Sequence, residues 1–509
     1  MGRSLAIILL LFAGCLLFTG SAAADEFDDL MAGGAGTTPR LPMDFSGNLW
    51  TKFAFDLQRD NDHEDLIESR SQAFAAGVFG LTPKVTATIS GLAEYVLAYN
   101  PSQTDAQYQA ILYELYAELK LGMFDLRLGQ QAITWGVTDL MNPVDNLTPK
   151  DLDRMANGEM GWYKRPEPAV RATFNVNRFY VEGVYEPFFR PDVFSVVGSD
   201  WSLLETSIPL AVLLRSLNNV SGFNDVRRIL NALDPSWASH LQKLLDKYAD
   251  TYLASRTKDL PDDFTNPDAA IRAGGSMGPV DMAVSYAYLW TDFPIIKINP
   301  QVIKIIRSLS IPAEPALSIN DLDPQKLLPL IKANYERTQV AGLEFSVTAG
   351  DFVFRTEAAD TIGGFTYNKS LEPQRVNSLT YVGALEYTWT GGWTSIFQLM
   401  HSHYFTYQRD FLTGRDYVVP MVLLRKSFLE DRMEFEGVLM GDMSALSWRK
   451  LQRSDLSGLG YMFIPMLSYA VSDPLKIYIG ANLFGGGGTS LFGLFQNNSQ
   501  VWMSARYGF

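Results

Sequence analysis

The chain has 509 residues, 42 basic and 56 acidic side chains for a formal net charge of −14, 40 glycines, 13% aromatic residues and a mean hydropathy of −0.01. An acidic balance of this kind argues against nucleic acid as a partner, because phosphate binding draws on basic patches. After Asp25 no apolar run reaches the ~20 residues of a membrane helix, which leaves a large soluble β protein or a transmembrane barrel whose alternating strands average to neutral hydropathy.

Residues 1–24 carry Arg3, the apolar run Leu5 to Phe18 and the small residues Ala22-Ala23-Ala24. That order is expected of a cleaved secretory signal. Residues 25–45 begin with Asp25-Glu26-Phe27-Asp28-Asp29 and are read as an acidic periplasmic tail, and 46–509 as the barrel. The only cysteine, Cys15, falls in the leading segment, so the rest of the chain offers no disulfide, Cys-ligated metal or Cys nucleophile.

Period-2 alternation then recurs. Leu49, Thr51, Phe53, Phe55 and Leu57 oppose Asn48, Trp50, Lys52, Ala54 and Asp56; Tyr113, Leu115, Ala117 and Leu119 oppose Glu114, Tyr116, Glu118 and Lys120. The pattern predicts eighteen strands, over 46–58, 67–80, 85–99, 107–121, 124–136, 168–176, 178–188, 269–277, 280–290, 336–349, 351–360, 376–390, 392–404, 416–428, 431–442, 457–471, 474–484 and 499–509, with sixteen as the alternative. Tight turns such as Asn177-Arg178, Gly278-Pro279 and Gly350-Asp351 largely alternate with longer loops. Short turns on one side and long loops on the other are the mark of an all-β, antiparallel outer-membrane barrel of a Gram-negative cell, with the turns periplasmic. The last strand supports this: Val501, Met503, Ala505, Tyr507 and Phe509 share one apolar row and end on an aromatic carboxy-terminus. It resembles the terminal strand through which the barrel insertion machinery recognises its clients, with Phe509 and Tyr507 as the signal.

If the apolar row faces outer-membrane lipid, Lys52, Asp56, Arg70, Glu114, Glu118, Lys120, Arg127, Gln131, Arg171, Glu182, Glu344 and Arg355 face the lumen, together with Glu94, Glu357, Glu386 and Glu436. Arg or Lys facing lipid at the midplane would cost ~2–4 kcal/mol each. The lumen is therefore wet or cross-paired, and ~16–18 strands enclose an aqueous channel unless a plug fills it. Two loops exceed a simple connection. Within 189–268, Trp237, Leu241, Leu244 and Tyr248 form one apolar helical face, and within 291–335, Val302, Ile305, Ile306 and Leu309 form another. These helices are lid candidates, or a cap packed on itself.

Enzyme chemistry has little to build on. The histidines after Asp25 are His63, His240, His401 and His403. His401 and His403 share the outward row of Phe397 and Leu399, where interfacial anchoring is the reading. His63 sits among Asp60, Asp62, Glu64 and Asp65, a solvated acidic loop without the glycine and spacing of a calcium loop. No phosphate-binding loop, nucleophile elbow, metal set or cofactor signature stands out.

The stretch Leu126-Arg127-Leu128-Gly129-Gln130-Gln131-Ala132-Ile133-Thr134-Trp135-Gly136, followed by Met141-Asn142-Pro143-Val144-Asp145, resembles the G-[RQ]-Q-x-x-x-W-G and N-P-x-D pattern of porin-like barrels of proteobacteria. One such family is often found with exporters of the resistance-nodulation-division type, and alginate-export-type porins are more loosely similar. The resemblance implies outer-membrane transport of an unspecified solute, and an inner-membrane exporter as a partner of the system. From the residues themselves, Arg127, Gly129 and Gln131 should face the lumen with Trp135 near the outer rim, while Asn142, Pro143 and Asp145 begin a turn. Folding of loop 137–167 into the barrel mouth and direct contact with solute are both open. So are three functions: a passive or gated channel, a plugged barrel displaying its loops to partners, and an outer-membrane hydrolase.

Overall fold

The computed structural model describes residues 43–57, 66–100, 103–152, 154, 162–193, 264, 266–298, 331–368, 372–411, 413–444, 458–487 and 490–509. Strands run in chain order as β1 (Met43–Asp56), β2 (Leu66–Thr82), β3 (Val85–Asn100), β4 (Gln103–Leu121), β5 (Phe124–Gln131), β6 (Glu167–Val176), β7 (Phe179–Glu186), β8 (Asp268–Met277), β9 (Val280–Trp290), β10 (Ile295–Ile298), β11 (Ile331–Asn334), β12 (Arg337–Ala349), β13 (Phe352–Tyr367), β14 (Pro373–Thr388), β15 (Trp393–Tyr404), β16 (Asp416–Phe428), β17 (Met433–Asp442), β18 (Gly460–Ala470), β19 (Leu475–Gly486) and β20 (Gln500–Gly508). Eighteen of them form one closed antiparallel barrel in which each pairs with the next, β9 pairs with β12, and β20 returns to β1. β10 and β11 form a separate two-stranded ribbon at the base of the loop between β9 and β12.

Alternation explains the closure. Along β1, Phe53 and Phe55 are exposed while Lys52 and Ala54 are buried, and along β20 Met503 and Tyr507 are exposed while Ser504 is buried. The exposed rows continue around the wall through Ile89, Leu128, Ile271, Val284, Leu343, Phe397 and Ile479. Aromatic side chains gather on that outer surface near both ends of the strands. Phe174, Phe179, Phe352, Trp389 and Phe509 lie toward the short turns, and Tyr286, Tyr288, Tyr381 and Tyr461 toward the long loops. An apolar band between two aromatic girdles is how a barrel meets a bilayer.

Closure is completed at the carboxy-terminus. Gly47 and Phe509 exchange both backbone hydrogen bonds, at 2.9 and 3.0 Å. The Phe509 ring lies so near Gly47 that a Cβ there would stand 2.4 Å from it.

Three departures from the alternation carry information. In β4 the register with β3 shifts between Ser90 and Gly91, opposite Leu112 and Glu114. This bulge turns Tyr113 inward beside Glu114, so Tyr113 is buried with its hydroxyl donating to the Lys164 carbonyl at 2.9 Å, while Leu112 and Leu115 are exposed. Tyr113, expected in the outward row, is corrected accordingly, while Leu115 keeps its expected facing. β13 and β14 extend into the expected loop 361–375, because a second bulge between Thr361 and Gly364 absorbs the break in pattern. Finally, β5 stops at Gln131 instead of running to 136. The helical faces expected around Trp237 to Tyr248 and Val302 to Leu309 lie outside the described residues.

Candidate pore constriction

The segment after Gln131 leaves the wall and turns into the barrel. Gly129 permits the departure: its φ is +130°, and a Cβ would stand 2.2 Å from the Leu115 carbonyl oxygen, a combination only glycine accepts. Gln131 then holds the exit by donating from Nε2 to the Ala169 carbonyl at 3.0 Å. The inserted residues Ile133, Trp135, Val144 and Leu147 pack against inward-facing Ala169, Val184, Ala270, Ala287, Leu289, Val340 and Ala359. Four alanines in that wall leave the depth that the larger side chains fill, and burial contributes at ~25 cal/mol per Å².

Three glutamates of the wall fix the segment by accepting its donors. Glu182 of β7 takes the Trp135 indole N–H at 2.7 Å. Glu344 of β12 takes the Gly136 N–H at 3.0 Å. Glu357 of β13, 1% exposed, takes the N–H groups of Val137 and Thr138, both at 2.6 Å, the Thr138 hydroxyl at 2.7 Å and the Val144 N–H at 3.4 Å. Hydrogen bonds to a carboxylate are the stronger kind, roughly 1.5–3 kcal/mol each. Arg171 and Arg272 balance the charge, each 2.5 Å from Glu182 and Glu344 respectively.

The two halves of the sequence motif bind one another. Gly136 has φ +100°, and a Cβ there would lie 2.2 Å from the Asn142 side chain. Asn142 donates from Nδ2 to the Trp135 carbonyl at 2.7 Å and accepts the Asp145 N–H at 3.1 Å, closing an Asx turn over Pro143. Asp145 accepts the Trp135 N–H at 3.3 Å and pairs with Lys164 at 2.7 Å. Burial pulls the Lys164 ammonium below the usual lysine range, against the opposing pull of Asp145. Trp135, expected near the outer rim, is 2% exposed inside the barrel. The physical reason is that its indole N–H and its backbone find acceptors in the lumen that a strand position would not supply.

Beyond the turn, the tip of the segment crosses to the other wall. Met141 packs on a buried inward patch of Val382, Ile396, Val419, Met421, Leu423 and Val438. Next to it, Asp139 lies 3.5 Å from Arg355 and 3.4 Å from the Gln398 amide, and burial raises its carboxyl above the ordinary aspartate range although Arg355 opposes this.

The other expected lumen residues distribute around this inserted segment. Lys52 is 3% exposed on the inner row with its ammonium over Trp502. Arg70 pairs with Glu68 and Glu94, and Glu94 also receives Arg154 of the inserted segment at 2.9 Å. Glu114 accepts the Ala132 N–H at 3.0 Å, and Arg355 pairs with Glu386 at 2.7 Å. Asp56 closes β1 at the long-loop rim, opposite Gln500, while Lys120 faces Asp125 at the short-turn rim. Glu118, Arg127, Arg171, Glu182, Tyr180 and Arg272 line a cavity of about 310 Å³ beneath the inserted segment, toward the short turns. Arg127 stacks over Tyr116 there and lies 3.6 Å from Glu118.

Sequence reasoning did not single out Asp139, Met141, Arg154, Lys164 or Arg272 as members of this site. For Lys164 and Arg154 the only available signal is a cation in a segment too long for a turn. Met141 stands beside the motif, but nothing in the sequence shows that its partner would be an apolar inner wall.

No protein-family model and no curated protein matches the chain. Solved structures do align over nearly its whole length, at low identity. The outer membrane protein OpdK from Pseudomonas aeruginosa shares 10% identity over 92% of this chain and 98% of its own, with a TM-score of 0.45. A BenF-like porin from Pseudomonas fluorescens Pf-5 shares 8% over 93% and 99%, with a TM-score of 0.46. OccAB4 of Acinetobacter baumannii shares 9% over 93% and 100%, with a TM-score of 0.45.

Proposed function

We propose that this chain is a porin-type channel of the outer membrane, in which the inserted residues 132–152 form the constriction through which a small hydrophilic solute passes. The observation that carries the reading is the inserted segment itself: a barrel of eighteen strands with an apolar outer band is folded around a loop pinned to its charged inner wall by Glu182, Glu344 and Glu357. A wall of this circumference leaves an aqueous lumen, and a loop drawn inward sets its width. The paired charges beneath the plug, Arg127, Arg171 and Arg272 against Glu118 and Glu182, provide a wet and oriented passage. A solute would exchange hydrogen bonds there without facing an uncompensated field. A role as the outer part of an export system, and a gating role for the loops at 189–268 and 291–335, extend the same proposal.

A second reading has its own support. The density of hydrogen bonds holding the segment suits a barrel that is closed and displays its long loops. Single-channel recording in planar bilayers separates the two. A channel gives discrete conductance steps with the intact chain, and absence of current in both the intact chain and a variant with its plug released would reject transport in favour of display.

A further inference from the structure

The outer surface of the barrel carries one cluster of metal-binding chemistry that the lumen does not use. His401 and His403 stand two residues apart on β15, so both imidazoles project from the same face of the strand. That face is the outward one, shared with Phe397 and Leu399. The neighbouring strand brings Asp416 opposite His403 in register. His401 Nε2 and His403 Nδ1 both contact Asp416 Oδ1, at 2.9 and 2.7 Å. Among the described residues this is the group of three whose donor atoms all lie within 4.8 Å of one another.

We propose that His401, His403 and Asp416 bind a single divalent transition-metal ion of the zinc class on the outer wall of the barrel, at its long-loop rim. Zn²⁺ binds imidazole nitrogen and carboxylate oxygen at about 2.0–2.2 Å in a tetrahedral set. Ligand atoms in such a set stand about 3.3–3.5 Å apart, so the Asp416 oxygen and each imidazole nitrogen need to part by only about half an ångström to admit the ion. Two neutral imidazoles and one carboxylate suit zinc, nickel or copper rather than calcium or magnesium, which take oxygen sets. Three protein donors leave the fourth position of a tetrahedral ion for water.

The surroundings hold the ligands in place. Tyr381, the register partner of His401 on β14, has its hydroxyl 2.9 Å from His401 Nδ1 and its ring edge-on to the imidazole at 5.1 Å. Phe405 packs edge-on against His403 at 5.7 Å. With Nε2 bound to the ion, Nδ1 carries the ring proton and donates it to the Tyr381 oxygen. A metal-bound histidine commonly has such a partner, which fixes the tautomer and the ring plane. Interfacial anchoring accounts for one aromatic ring at a bilayer rim. It does not call for two histidines converging on one carboxylate oxygen.

The test is zinc binding to the untagged, detergent-solubilised barrel by equilibrium dialysis and titration calorimetry, with heat-modifiable migration as the measure of folding. One ion per barrel is expected. His401→Ala and His403→Ala should each weaken binding by at least about tenfold, and Tyr381→Phe, which leaves every ligand in place, by roughly tenfold. His63→Ala should leave it unchanged. With Cu²⁺ as the probe, the electron paramagnetic resonance spectrum should show two nitrogen ligands, and one in either histidine variant. A folded barrel that takes up no ion, or that binds it equally well in the H401A–H403A double variant, overturns the proposal.

Discussion

The two halves of the inner wall hold the inserted segment by different physics. From β7 through β13 the wall offers carboxylates, and Glu182, Glu344 and Glu357 accept an indole N–H, three backbone N–H groups at 3.0 Å or less and a hydroxyl. From β14 through β18 it offers an apolar patch on which Met141 alone of the segment is buried. Directional bonds fix where the segment sits, whereas the apolar contact at its tip only rewards closeness. On the carboxylate side the segment is fixed by directional bonds, while on the other wall its tip is held by the Met141 contact and a longer bond from the Gln398 amide to Asp139. On the proposed channel reading, the carboxylate side is the hinge and the apolar side the edge along which a passage widens.

The largest effect expected from breaking this asymmetry follows Glu357→Ala. The Val137 and Thr138 N–H groups lose their acceptor, at about 1–3 kcal/mol each, as does the more distant Val144 N–H, so docking should weaken by about 4 kcal/mol. Single-channel conductance should rise and amide exchange across 135–145 should accelerate. Glu357→Gln keeps an oxygen acceptor and should fall between the two. Conductance and exchange identical to the intact chain in the alanine variant would show that the carboxylate does not hold the segment.

On the opposite wall, Met141→Ala removes the tip contact. Truncation of a buried methionine costs about 2–5 kcal/mol in a closed core, and the lower end applies where one side of the site can relax. Frequent brief openings are expected with the hinge intact. Conductance noise should increase while exchange protection at Gly136 to Thr138 stays at its original level; loss of protection there would contradict a hinge on the carboxylate side.

The smallest effect concerns pH. Burial raises the Asp139 carboxyl above its ordinary value of 3.8, so in the window between that value and the raised one the docked segment holds more protons than the released one. Docking is consequently favoured as pH falls through the window and loses that contribution as pH rises through it. Mean conductance should decline on acidification through that window, and Asp139→Asn should flatten the decline. An unaltered slope in that variant would assign the dependence to other groups.

Much of this architecture was written locally. Lys52, Arg70, Glu182, Glu344 and Arg355 could be placed on inner rows because each sits opposite an apolar neighbour with period 2, and a strand repeats that relation without reference to its partners. The Asx turn at Asn142 and Asp145 was legible for the same reason, since its bonds close within ten residues. Ala132 to Trp135 misled because alternation persists for those residues and predicts strand. The contact that draws Gly136 inward comes from Glu344, 208 residues away. Tyr113 misled because one extra residue in a bulge reverses the facing of everything before it.

The sequence by itself determined a barrel, most of its outward and inward rows and a count of sixteen to eighteen strands, because backbone pairing and a lipid-facing surface impose a period that every strand must obey. Tertiary structure alone decided what occupies the lumen and what gathers on the rim. Whether a carboxylate ends beside a backbone N–H, a guanidinium or an imidazole depends on register summed around the whole ring. Glu357 meeting Thr138, Met141 meeting Met421 and Asp416 meeting His401 and His403 are consequences of closure that no window of the sequence contains.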